Sequence, residues 1–249
     1  MIPLRALSDS CQRDNKTVSG KRSSRGQVGA VVNTLGARIA AGHYAEGETL
    51  PIEQDLAESL EVGRNALREA VKVLSGKGLI STAPRAGTKI RPRDEWNMLD
   101  PDVLSWHADP DTATDSFMLD LIEVRRIVEP KAAELAAARA TREDVANILS
   151  AYEAMADKTR DEDERITADI AFHSAILKAS HNEVLNHFRY AIAAYLRAHS
   201  RLGQQVSEED HQADLQRHQQ IAMAIATGKV KSAYSLTVEM LTANRSHFE

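Results

Sequence analysis

The sequence predicts a mainly α-helical protein in two parts, a short three-helix unit closed by a β-hairpin and a longer all-helical bundle. Three observations carry this. Apolar residues recur at helical spacing through residues 28–75 and again through 101–249. Strand-like segments flank a single Pro84-Arg85-Ala86-Gly87 tip. The charge also changes sign along the chain. Up to Pro92 there are fourteen Lys and Arg against nine Asp and Glu; behind it there are seventeen against twenty-seven, for a formal net charge of −5. A polyanion would therefore meet the front part and avoid the rear.

Residues 1–26 mix Arg5, Arg13, Lys16, Lys21, Arg22 and Arg25 with polar residues and show no apolar period, so they read as a flexible basic tail. Residues 27–92 form the front unit. Val28, Val31, Val32, Leu35 and Ile39 make one face of a first helix, stopped by Gly42. A turn at Leu50-Pro51 leads to a short helix, Glu53 to Leu60, and Arg64 to Ser75 forms another with Leu67, Val71 and Leu74 on one stripe. Leu79 to Thr82 and Thr88 to Arg91 are the two strands. Residues 93–100 are a linker. Residues 101–249 are the bundle, with expected helices Thr114 to Ala138, Arg142 to Lys158, Glu164 to Ala179, Asn182 to His199, Ala213 to Thr227 and Lys229 to His247.

No apolar run approaches the ~18 residues of a membrane span, and Met1 to Gly26 lacks the apolar core of a secretory leader. Cys11 is the only cysteine, which excludes a disulfide framework and a thiolate zinc knuckle. A cytoplasmic setting with no membrane partner is expected.

Two short helices separated by Glu61-Val62-Gly63 and followed by a hairpin are the arrangement of a winged helix-turn-helix, in which one helix enters a major groove. The second helix opens with Arg64, Asn65 and Arg68; Arg pairs bidentately with guanine and Asn with adenine. Arg85 and Lys89 on the wing, with Lys72 and Lys77, would meet phosphates. Leu50-Pro51, Asp55-Leu56-Ala57, Val62, Arg64, Leu67-Arg68-Glu69-Ala70, Leu74, Gly78-Leu79-Ile80 and Gly87-Thr88 closely resemble the DNA-binding domain of the GntR family of bacterial regulators. The resemblance implies operator contacts at Arg64, Asn65, Arg68 and the wing around Arg85 and Gly87. Three positions depart from the family. Ile52 replaces a capping Ser, Gln54 stands where Arg is common, and Gly63 replaces a phosphate-binding Ser or Thr. Gln54 is still counted as DNA-facing, and an unusual base preference is expected.

In the bundle, Asp169 and His173 lie four residues apart and project from one helix face, able to share a cation or merely to pair with each other. His218, near Leu215 and Ile221, is the candidate third ligand. Residues Asp169 to Ile176, His181-Asn182, and Glu123 to Arg126 with Glu129 resemble the FCD effector-binding domain of the FadR-type branch of that family. The resemblance implies a divalent metal, zinc with manganese or nickel as alternatives, held by Asp169, His173 and His218 beside a small carboxylate. The family's fourth ligand would fall near Met240, where no His stands; His187, His199 and His211 are expected at the bundle edge or in solvent. Arg125 can pair with Glu129 along the helix, but the resemblance places it toward the pocket, with Asn182 and Arg93 as further effector contacts. Residues 93–106 are similar to the linker of regulators of sugar-acid catabolism, and Trp96 and Trp106 are expected to be packing anchors between the two parts.

The expected function is thus a homodimeric repressor of a sugar-acid operon, binding double-stranded operator DNA and released by a small carboxylate. The competing reading is a metal-dependent enzyme acting on such an acid, which lacks a His-Glu-x-x-His motif and a Gly-rich phosphate loop. A third reading makes the metal purely structural.

Overall fold

The structure, a computed structural model, describes residues 24–109, 113–201 and 207–243. Helices α1 (Ser24–Ala40), α2 (Glu53–Ser59) and α3 (Arg64–Gly76) are followed by strands β1 (Ile80–Ala83) and β2 (Gly87–Ile90). The strands pair antiparallel from Ile80↔Ile90 to Ala83↔Gly87. Most of the basic tail lies outside the described residues, but its last three residues are helical, because α1 begins at Ser24 and runs about two turns ahead of its buried Val31 and Val32. Leu35 and Ile39 of α1 meet Leu67 and Leu74 of α3 and Leu79 and Ile80 of the hairpin in one core. Residues 47–50 run beside β2, with Leu50 N–H donating to Thr88 O at 2.8 Å, and so back the wing.

The segment between hairpin and bundle is more ordered than a linker. A 3-10 turn, Arg93–Glu95, leads to α4 (Pro101–His107), which the sequence reading passed over. Seven residues are too few for a helical period to declare itself, yet Asp100-Pro101 is a start signal: Asp100 Oδ1 accepts the Asp102 N–H at 2.9 Å, and Pro101 opens the helix. Lys77, at the end of α3, binds the same carboxylate through Nζ at 2.7 and 2.9 Å and Asp102 at 2.8 Å. Burial opposes the charge on Lys77, but the two aspartates hold its pKa above the ordinary lysine value. Trp96, Val103 and Trp106 belong to the front core, and the Trp106 ring lies on α1 so closely that Gly36 has no room for a Cβ. The tryptophans are therefore part of the front unit's own interior. The opposite face of α4, Leu104 and Ala108, packs with Met118, Leu121, Ala194 and Tyr195 of the bundle.

The bundle comprises α5 (Asp115–Arg139), α6 (Arg142–Ala156), α7 (Glu162–Ala179), α8 (Glu183–His187), α9 (Arg189–Arg201), α10 (Glu208–Ala226) and α11 (Val230–Ala243). Phe172, Ile176, Leu177, Ile148, Ile221 and Ile225 fill its centre among small alanines of α5. The single helix expected from Asn182 to His199 is instead two, α8 and α9. Arg189 Nη1 takes the Asn186 carbonyl at 2.7 Å, and Phe188 turns tightly with its N–H on Leu185 O. Capping also moves two starts upstream of the expected ones: Asp161 and Glu164 form a capping box on α7, and Ser207 caps α10 through the Asp210 N–H. The end of the expected last helix, beyond 243, lies outside the described residues.

Candidate functional site

Three donor atoms converge between α7 and α10. Asp169 Oδ1 lies 3.2 Å from His173 Nε2 and 3.6 Å from His218 Nε2, and the two imidazole nitrogens are 3.4 Å apart. Donors bound at ~2.0–2.1 Å around one tetrahedral cation stand ~3.3–3.5 Å from each other, so the triangle has the size of a metal site. Both rings are oriented from behind. His173 Nδ1 pairs with Glu129 Oε2 at 2.6 Å, and His218 Nδ1–H donates to the Asp214 carbonyl at 2.8 Å. With the proton of each neutral ring on Nδ1, toward these partners, Nε2 is a lone pair facing the centre. Asp169 Oδ1 is buried without a hydrogen-bond donor. Two lone pairs and a carboxylate oxygen, turned toward one another and shielded from water, require a positive charge between them.

The charges around this triangle form a chain. Arg125 Nε binds Glu129 Oε1 at 2.5 Å, and its guanidinium stacks over the Tyr195 ring at 4.6 Å. Arg125 and Glu129 are 5% and 3% exposed, so they interact in a low dielectric. Burial disfavours the Glu129 carboxylate, but Arg125 and His173 bring its pKa down to about 2. Without a metal, burial also opposes charge on His173, yet Glu129 and Asp169 push its pKa up to about 9. Asp169 is held well below the usual carboxylate range by the two histidines, despite burial. The positive charge at the centre is thus either a proton on His173 or a metal cation. Phe172 presents its ring to both histidines at 5.6 and 5.1 Å and closes the apolar side.

The other expected ligand-binding residues are placed differently. Arg125 does pair with Glu129, and it faces the site through that partner. Asn182 is not at the triangle: its Oδ1 accepts the N–H groups of Val184 and Leu185, capping α8 beyond the end of α7. Arg93 is exposed and lines a separate cavity of about 420 Å³ with Leu104, Phe117, Leu121 and Ala191. Met240 is buried in the bundle core and brings no imidazole. His187 is exposed, and His199 stacks on Tyr195. The roles of Glu129 and Asp214 behind the histidines were not read from sequence. The spacing of four between Asp214 and His218 was the available sign for one, whereas the Glu129 contact joins two helices.

On the front unit, Arg64, Asn65 and Arg68 all stand exposed on the outer face of α3, opposite Leu67, Ala70 and Leu74. Neither α2 nor α3 has a side-chain cap, as Ile52 and Gly63 at their N-caps dictate. Arg68 Nε binds Glu53 at 2.8 Å, and Gln54 is exposed on α2 with Nε2 3.4 Å from Glu58. At the wing, Ala86 N–H donates to Ala83 O at 3.2 Å, and Arg85 holds a φ of +65°, the position where such a turn favours glycine. Gly87 follows at φ +77°, and a Cβ there would meet Thr49 Cγ2 at 3.0 Å.

A three-helix unit with a basic recognition helix and a wing, joined to a helical bundle with a buried Asp-His-His triangle, defines a class: winged helix-turn-helix regulators with a helical sensor domain. Residues 27–90 match the bacterial regulatory proteins of the gntR family, and residues 120–243 match the FCD domain. The chain belongs to the GntR family and is a DNA-binding transcription regulator. It is 39% identical over 168 residues to the galactonate operon transcriptional repressor of Escherichia coli K12, covering 68% of this chain and 73% of that one. With the Glc operon transcriptional activator of the same organism it shares 33% identity, over 62% of this chain and 61% of the relative. Among solved structures, a Streptococcus agalactiae GntR protein superposes with a TM-score of 0.50 at 25% identity, over 88% of this chain and 99% of that one. A Listeria monocytogenes regulator, Lar, shares the fold with a TM-score of 0.60 at 19% identity, over 87% and 93%. The family and these relatives are transcriptional regulators rather than enzymes. Among the described residues no helix is long and apolar enough to cross a membrane.

Proposed function

We propose that this regulator is a homodimeric repressor of a sugar-acid operon, whose grip on DNA is released by a small carboxylate bound beside a divalent metal in the bundle. The observation that carries the sensing half is the triangle of Asp169 Oδ1, His173 Nε2 and His218 Nε2, with a polar partner behind each ring. Those residues suit zinc, with manganese or nickel as alternatives, and three protein ligands leave a coordination position for an acid or water. When bound, the metal supplies a fixed positive charge that an acid oxygen can approach. Glu129 holds the His173 ring and Arg125 holds Glu129, so the geometry of the site depends on charges one and two steps removed from the metal. The likeness to a galactonate operon repressor supports a sugar acid as ligand.

Arg64, Asn65 and Arg68 are assigned to base edges in the major groove, with Gln54 nearby and Arg85 and Gly87 on the wing against the backbone. Two copies with two-fold symmetry would read a pseudo-palindromic operator. An acid switches such a protein only by favouring one arrangement of its two parts, and a coupling of ~1–3 kcal/mol suffices. Helix α4, seated on both parts, is the physical link. Gel-shift titrations of zinc-loaded protein on operator DNA test this: galactonate should weaken binding, and a chelator should remove its effect. A panel of sugar acids that leaves operator affinity unchanged would overturn the sensing half.

A further inference from the structure

The cavity of about 420 Å³ beside Arg93 has no part in the triangle: none of Asp169, His173 or His218 lines it. It lies where the segment after the hairpin meets the bundle, and its volume falls within the ~300–1,000 Å³ of small-molecule sites, which favour such junctions. Leu104, Phe117, Leu121 and Ala191 give it a buried apolar floor. Leu99 stands at its edge with 60% of its surface exposed, an apolar side chain that gains by being covered.

Two opposite charges line the same space, Arg93 from the 3-10 turn and Asp120 from α5. Among the described residues neither side chain has a partner: Glu46 meets Arg93 only at its backbone N–H, and the nearby Glu95 pairs with Arg91 instead. The charge of Arg93 also reaches inward. Burial first, and then Arg93, lower the pKa of His107, whose ring lies 5.5 Å from that of Trp96 and 5.2 Å from that of Phe117. A ligand suited to this cavity therefore carries an anion, a cation and an apolar body together. An apolar α-amino acid in its zwitterionic form does so. Its carboxylate matches the fork of Arg93, its ammonium group matches Asp120, and its side chain covers the floor.

We propose that this cavity is a second, metal-independent ligand site that takes a small apolar amino acid. Arg93 and Leu99 come from the segment attached to the front unit, whereas Phe117 and Asp120 belong to the bundle, so a ligand touching both favours one seating of the two parts and changes operator affinity.

Titration calorimetry on the full chain in the presence of chelator tests it, with L-leucine and L-phenylalanine as probes against 4-methylpentanoate, which lacks the ammonium group, and leucinol, which lacks the carboxylate. Wild type should bind an amino acid and hold both analogues about tenfold or more weakly. Arg93→Gln and Asp120→Asn should each weaken the amino acid by about tenfold, and Ser116→Phe, at an exposed position of the lining, should block it. Zinc binding should be the same in all three variants, as should the mass in sedimentation. In gel shifts the bound amino acid should change operator affinity by about fivefold or more. Failure of both amino acids to bind wild type, equal binding in wild type and all three variants, or an unchanged operator affinity overturns the proposal. A smaller mass for Ser116→Phe assigns this face to a contact between copies and overturns it as well. None of these outcomes touches the galactonate reading, which is scored on zinc-loaded protein.

Discussion

The two halves of this protein use the same residue types in opposite ways. Across two helices of the front unit, Arg68 of α3 and Glu53 of α2 form an ion pair whose side chains are 60% and 49% exposed. In the bundle, Arg125 and Glu129 form one at 5% and 3%. The exposed pair is screened by water and salt, contributes little to folding, and can exchange its partner for a phosphate or a base. The buried pair has no such freedom. Its charges are fixed by one another and transmit orientation to His173 at 2.6 Å. Charge outside serves encounter with a polyanion; charge inside serves geometry.

Substitutions that strip one charge from each region sharpen this contrast, and the largest effect belongs inside. Glu129→Gln in chelator-treated protein leaves Arg125 buried without its counter-charge and should cost ~3–5 kcal/mol in denaturant unfolding. A loss under about 1 kcal/mol would mean the pair behaves like a surface one. Next comes the metal. Zinc at a hundredfold excess over its Kd should stabilise wild type by about 2.7 kcal/mol in thermal melts, and His218→Ala should abolish that increment. An unaltered zinc response in the variant would break the assignment of the triangle. In the front unit, Arg64→Ala should cost ~1–3 kcal/mol of operator affinity and relax preference at one base position, with no change in zinc binding. A uniform loss on all sequences would move Arg64 to the phosphates.

The response to pH runs two ways, because the trend in folding opposes the trend in binding. The His173 pKa is raised from 6.5 to about 9 in the metal-free fold, so the stability it contributes is complete below 6.5 and is lost as pH rises through 9. Zinc must displace that proton, so apparent zinc affinity should rise by about tenfold per pH unit across the same window. Parallel trends in melts and calorimetry would exclude His173 as the protonated group. The smallest effect is Arg68→Ala on folding, expected within ~0–1 kcal/mol, although operator affinity should still fall.

Most of the helices were legible because their buried faces repeat at helical spacing, as Leu67 and Leu74 or Phe172 and Ile176 do. The Asp169-His173 pair was legible for the same reason, since a spacing of four fixes a shared face. What escaped was set by contacts between distant segments or by single side chains. Helix α4 depends on Asp100 and Lys77 more than on its own seven residues. The break at Phe188 turns on one guanidinium reaching a backbone carbonyl. Asn182 has a residue type that serves a ligand or a helix cap equally well, and only the position of the next backbone N–H groups decides which. The Glu129 contact to His173 spans forty-four residues of sequence and has no local signature.

The seating of Trp96, Val103 and Trp106 in the front core bears on how this regulator can be recombined with others. A chimera spliced at Pro92, where the hairpin ends, would leave Gly36 facing a hole and Lys77 without either aspartate. A splice placed after Ala108 transplants the reading head with its own floor attached, and whatever sensor is grafted behind it then has to match Leu104, Ala108, Met98 and the His107 ring.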